Sequence, residues 1–179
     1  NKKGRHGIVH CQITNPRILQ GMKDQDLLAY IQPVFIDLDM NTVEPAIGAQ
    51  RMDKVYAWKS MLDMGIHTSG GSDAPVVSFD AMENIYFAVT RKNISGQPQE
   101  GWIPSEKISV DEAVKLFTKN AAYASYTEDE NGTIEVGKNA DFVVLEKNIY
   151  EIDPDEIKAT KVDMTVLGGE IVYERKVEE

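Results

Sequence analysis

The sequence predicts an α/β protein that ends in a small β segment, and three observations predict it. Short β-branched runs alternate with helical stretches up to residue 130, and each strand-like run closes on turn residues. Beyond Asn131-Gly132 the texture changes to short β runs alone. At 179 residues, 42% hydrophobic and 27% charged, the chain has ordinary globular composition, enough for one core or a domain with an appendage.

Gly7-Ile8-Val9-His10-Cys11-Gln12-Ile13 is a β-branched run closed by Thr14-Asn15-Pro16, with the length and punctuation of a buried strand. His10 falls near its C-terminal end. Residues 22–29 read as weakly helical and lead into a second strand, Tyr30-Ile31-Gln32-Pro33-Val34-Phe35-Ile36, ended or bulged by Pro33. Residues 37–49 lack clear periodicity and read as a loop of the kind that covers a site. Over residues 50–64, Met52, Val55, Tyr56, Met61 and Leu62 approximate one helical stripe, and Gly65 stops it.

Residues 66–70 then form a third strand, followed by the turn Gly71-Ser72-Asp73-Ala74-Pro75. Helices are predicted over residues 81–90 and 109–123, the second opened by the capping-box pattern Ser109-Val110-Asp111-Glu112. Residues 133–136, 142–145, 164–167 and 170–173 read as strands, the last two joined by a Gly168-Gly169 hairpin.

Composition excludes some partners. A net charge of -10 and a pI near 4.8 repel phosphate backbones and anionic lipid, so no nucleic acid and no membrane surface is expected. No window approaches the roughly 18 apolar residues of a membrane helix, which suits a cytoplasmic protein. The single cysteine, Cys11, has no internal partner and reads as a small buried hydrophobe. The chain opens on Asn1 without an initiator Met, so its first residue need not be the natural start.

His6 and His10 have the four-residue spacing of a zinc-binding helix. In a strand that spacing separates them by about 13 Å, so only one can ligate at a given site. His10 is the better candidate, at the strand end where α/β folds put functional groups, with a satisfied core histidine as its plain alternative. Asp73 sits in a glycine-rich turn just past a strand, where it could bind metal, accept a proton or cap the turn. His67 lies inside the third strand and reads as structural. Arg51, Tyr56 and Trp58 could touch a substrate, against the plainer reading of a solvated Arg and a core aromatic pair.

Taken in order, Arg5-His6-Gly7-Ile8-Val9-His10-Cys11-Gln12, Gln32-Pro33, Arg51, Gly71-Ser72-Asp73-Ala74-Pro75-Val76, Ala88-Val89-Thr90-Arg91, Thr118-Lys119-Asn120-Ala121-Ala122 and the run from Gly132 to Leu145 resemble the C-terminal part of the amidohydrolase superfamily. The branch is that of predicted metal-dependent hydrolases grouped as amidohydrolase family 3, and the resemblance covers nearly the whole chain.

The resemblance implies that residues 1–130 are the last strands and helices of a TIM-like (β/α)8 barrel, and that 131–179 belong to a small composite β-sandwich. It implies a divalent metal, commonly zinc, as one or two ions, with His10 and Asp73 as ligands. Asp73 would also take a proton from water and return it to the leaving amine during hydrolysis of a small amide-type substrate. Gln32 and Arg51 are the implied substrate-binding residues. The family's His-x-His pair and its middle-strand ligands have no counterpart here, so the piece alone is expected to be inactive. Its open strand edge predicts self-association into a homo-oligomer. A non-catalytic half-barrel interaction module and, more remotely, a phosphate-binding glycine turn are the competing readings.

Overall fold

Three short strands pair in parallel in a computed structural model that describes residues 4–176. They are β1 (Gly7–Val9), β2 (Leu28–Ile31) and β3 (Thr68–Gly70), in the order β1-β2-β3. Ile8 sits opposite Ala29, and Ala29 opposite Thr68. Parallel neighbours require crossovers. α1 (Pro16–Asp24) supplies the first, capped by Asn15 Oδ1, which accepts from Ile18 N–H at 2.9 Å, with Pro16 in its first turn. The second runs through α2 (Phe35–Asp39), α3 (Val43–Ile47), a 3₁₀ turn at Ala49–Lys54 and α4 (Trp58–Asp63).

The middle strand carries the core: Leu28, Ala29 and Ile31 are buried with Tyr56, Trp58, Met61, Tyr86 and Phe87. α5 (Ala81–Thr90) is buried along most of its length. It follows an Asp80 cap and packs against a further 3₁₀ turn at Pro154–Ala159, whose Ile157 is inaccessible. Lys92 and Asp155 pair at 2.7 Å across that contact, tying the end of the chain to its middle.

The predicted helix over residues 109–123 is two helices, α6 (Val110–Phe117) and α7 (Lys119–Ala124), broken at Thr118. The Thr118 hydroxyl donates back to Val114 O at 2.9 Å, a bond that bends helices. The capping box is present, Ser109 Oγ and Glu112 exchanging bonds with each other's N–H. A second, antiparallel sheet follows: β4 (Phe142–Leu145), β5 (Val162–Leu167) and β6 (Glu170–Glu174). Gly168 and Gly169 turn between the last two with both φ positive, 59° and 85°, the backbone a tight hairpin needs.

Several boundaries differ from expectation. The first strand stops at Val9, because His10 and Cys11 both adopt positive φ. The second begins at Leu28 and ends at Ile31; Pro33, with its fixed φ, starts a turn, and Phe35 opens a helix instead of extending the strand. The expected loop over 37–49 contains the end of α2 and all of α3. The expected helix over 50–64 is interrupted where Val55 bridges Ile13 and Tyr56 turns left-handed. Residues 133–136 form no strand: Gly132 and Gly137, with φ of 91° and 95°, bend the chain on either side, and Ile134 and Val136 lie exposed.

Candidate active site at the rim of the parallel sheet

Parallel pairing brings the C-terminal ends of β1, β2 and β3 to one side, and the residues that leave those ends are His10, Gln32 and the turn Gly71-Ser72-Asp73. His10 N–H donates to Tyr30 O at 2.7 Å and Gly71 N–H to Ile31 O at 2.9 Å, so both exits are pinned to the middle strand. His10 has φ 72° and Asp73 φ 62°. Left-handed backbone costs a non-glycine residue on the order of 1–3 kcal/mol and persists where surroundings impose it, most often at functional sites.

The half-buried His10 ring lies 5.6 Å from that of Phe35, nearly parallel to it. Its Nδ1 is 2.8 Å from Gln32 Oε1. A carbonyl oxygen only accepts, so Nδ1 is the donor in this contact, and the tautomer that contact favours is the one that offers Nε2 to a metal. Gln32 is buried, with its amide oxygen turned to His10. Asp73 is exposed, and its carboxylate has no hydrogen-bond or ion-pair partner among the described residues.

The remaining candidates lie elsewhere. Arg51 is exposed in the 3₁₀ turn. Tyr56 and Trp58 are buried and meet edge-on at 5.8 Å. His67 begins the third strand region at the opposite end, Nε2 against Asn120 O at 2.9 Å, with burial holding its pKa below the ordinary value. His6 is exposed before β1. Burial pushes the Cys11 thiol up to about 11, which leaves it a protonated and inert neighbour of His10. Among the described residues, no three His, Cys, Asp or Glu side chains gather closely enough to hold a metal ion. No helix among them is long and apolar enough to cross a membrane.

A sequence profile described as "Amidohydrolase family" matches residues 1–173. The chain belongs to the amidohydrolase family. It is 35% identical over 175 residues to the putative amidohydrolase YtcJ of Bacillus subtilis (strain 168), covering 97% of this chain and 33% of that protein. It is 35% identical over 122 residues to the N-substituted formamide deformylase of Arthrobacter pascens, covering 68% of this chain and 22% of that one. The fold matches an uncharacterized metal-dependent hydrolase from Pyrococcus horikoshii OT3 with a TM-score of 0.74 at 21% identity, over 83% of this chain and 30% of the other. This amidohydrolase chain therefore spans a third or less of the length of these relatives.

Sequence reading passed over the groups that brace the rim. Gln12 Nε2 donates to Asp39 Oδ2 and to the Tyr56 hydroxyl, each at 2.8 Å, and Tyr56 donates its proton to the same carboxylate. Asp39 stands 27 positions from Gln12 in a stretch without helical periodicity, so no local pattern marks it.

Proposed function

We propose that this chain supplies a metal-binding histidine and the proton-handling aspartate of an enzyme that hydrolyses a C–N bond, other than a peptide bond, in a small amide-type molecule. The observation that carries this reading is the pair of left-handed residues, His10 and Asp73, at one rim of a parallel sheet, with Gln32 holding the His10 tautomer that frees Nε2. Relatives that include an N-substituted formamide deformylase and a 5-methylthioadenosine/S-adenosylhomocysteine deaminase support chemistry at a C–N bond. We read residues 1–130 as the last β/α units of a (β/α)8 barrel and 131–179 as strands of a composite β-sandwich.

In this reading His10 and Asp73 would contribute to holding a divalent cation, zinc by preference, as one or two ions, with further donors assigned to sequence outside this chain. When bound, the cation supplies Lewis acidity and makes water a competent nucleophile near neutral pH. Asp73 takes the proton that water gives up on attack and returns it to the nitrogen as the C–N bond breaks. Its exposed, unpartnered oxygens suit a group that must accept and release a proton in one turnover. Gln32 keeps His10 oriented and borders the space for substrate.

Metal content and hydrolysis of N-formyl and N-acyl amides by the full-length protein test the proposal. Asp73→Asn is expected to lower kcat by about 10²–10⁴, the usual worth of general acid–base catalysis. His10→Ala is expected to lose metal. Unchanged turnover in Asp73→Asn overturns the assignment.

A further inference from the structure

The loop after β1 passes through two consecutive left-handed residues, His10 and Cys11, and something must hold it there. Backbone bonds do part of this: Tyr56 N–H donates to Gln12 O at 2.7 Å and Thr14 N–H to Lys54 O at 3.1 Å, flanking the Ile13–Val55 bridge. The rest is a closed triangle of side chains from three separate segments. Gln12, two residues past His10, spends one amide hydrogen on Asp39 and the other on Tyr56. Tyr56 gives its single hydroxyl hydrogen to Asp39.

The donor count admits one arrangement. Three hydrogens point at two oxygens, so Asp39 Oδ2 accepts twice, which a carboxylate oxygen does with a charge and an amide oxygen does only as a weaker, neutral acceptor. Tyr56 must remain a neutral phenol, and burial together with the Asp39 bond raises its pKa in that direction. None of the ion pairs among the described residues includes Asp39, and Gln12 and Tyr56 are the side chains that donate to its Oδ2. Tyr56 is in turn immovable: its ring packs edge-on against Trp58 and Trp102, and its carbonyl accepts from the fully buried Arg91 at 2.9 Å.

We infer that Asp39 is a positioning residue for His10, acting through Gln12 and Tyr56 to hold the loop that aims the imidazole. This rests on the reading of His10 as a metal ligand, and its test separates the two. In the full chain, Asp39→Asn and Tyr56→Phe are compared with Asp37→Asn, a carboxylate on the same helix that accepts from Ile94 N–H at 2.8 Å and lies outside the triangle. The readouts are the Zn²⁺ dissociation constant, from competition with a chromophoric chelator, and the ¹⁵N ring signals of His10 without metal.

Asp39→Asn is expected to weaken Zn²⁺ binding about tenfold, as outer partners of a ligand do, and to turn one His10 ring state into several. Tyr56→Phe is expected to act in the same direction, with Asp37→Asn changing neither readout and amide exchange in α5 showing that all three variants are folded. Native ring signals and native affinity in Asp39→Asn overturn the inference, as does an equal effect from Asp37→Asn. A wild-type protein that binds no Zn²⁺ sinks the ligand reading, while the ring signals alone then decide the positioning role.

Discussion

After β1 the chain turns through His10 and Cys11 and is at once gripped by Val55, Tyr56, Gln12 and Asp39; after β3 it turns through Asp73 and is gripped by little. Both exits are tied to the middle strand by one backbone bond, and both hold a left-handed residue. Beyond that they part. The first loop is anchored in the core, whereas the second is exposed and its own bond, Val76 N–H to Asp73 O at 2.9 Å, closes a local turn. A residue that must present a lone pair at a fixed point benefits from the first arrangement, and a residue that must trade protons with a changing partner benefits from the second.

That contrast can be broken from the core side first. Arg91 is fully buried, donates to Tyr56 O and Trp102 O, and lies 4.6 Å from the centre of the Trp58 ring. Burial lowers its pKa to about 10, so it stays charged near neutral pH. Arg91→Ala leaves a cavity and the Trp102 carbonyl without a donor, while Tyr56 O keeps its 2.9 Å bond from Trp58 N–H, and is expected to cost about 3–5 kcal/mol in denaturant unfolding.

A smaller effect distinguishes the two glycines that open the Asp73 turn. A Cβ on Gly70 would meet the Phe117 ring at 2.7 Å, and Gly70→Ala is expected to destabilise by about 1–3 kcal/mol. A Cβ on Gly71 meets nothing within 4 Å, so Gly71→Ala is expected to stay within about 0.5 kcal/mol. Equal unfolding midpoints for the two would show that the turn is held otherwise than described.

The smallest effect is in pH. His67, ahead of β3, has its pKa held below the ordinary 6.5, chiefly by burial. The unfolded chain therefore takes up the proton first as pH falls, so stability is complete above 6.5 and declines below it. His67→Gln is expected to flatten that decline in unfolding midpoints measured on either side of 6.5; an unchanged slope assigns the dependence to another group.

What was legible in the sequence followed from local chemistry. Ser109 and Glu112 wrote their own capping box, Gly168-Gly169 their own hairpin, and residues 81–90 their own helix, each decided by neighbours a few positions apart. His10 and Asp73 could be singled out because strand ends in α/β folds carry function. What failed was decided at a distance. Val55 left its helical stripe to pair with Ile13, and Ile134 and Val136 kept β-branched side chains without gaining a strand partner. Asp39 and Gln12 meet only after β1 and β2 have been laid side by side.

The elbow at Thr118 has a consequence for the second loop. On one side of it Phe117 leans on Gly70, the last residue of β3; on the other, Asn120 Nδ2 donates to Thr68 O at 2.9 Å while its own carbonyl meets the His67 ring. One bent rod thus clasps a three-residue strand head and tail. A tilt of that rod would therefore shift β3 and, with it, the turn that carries Asp73 three residues further on.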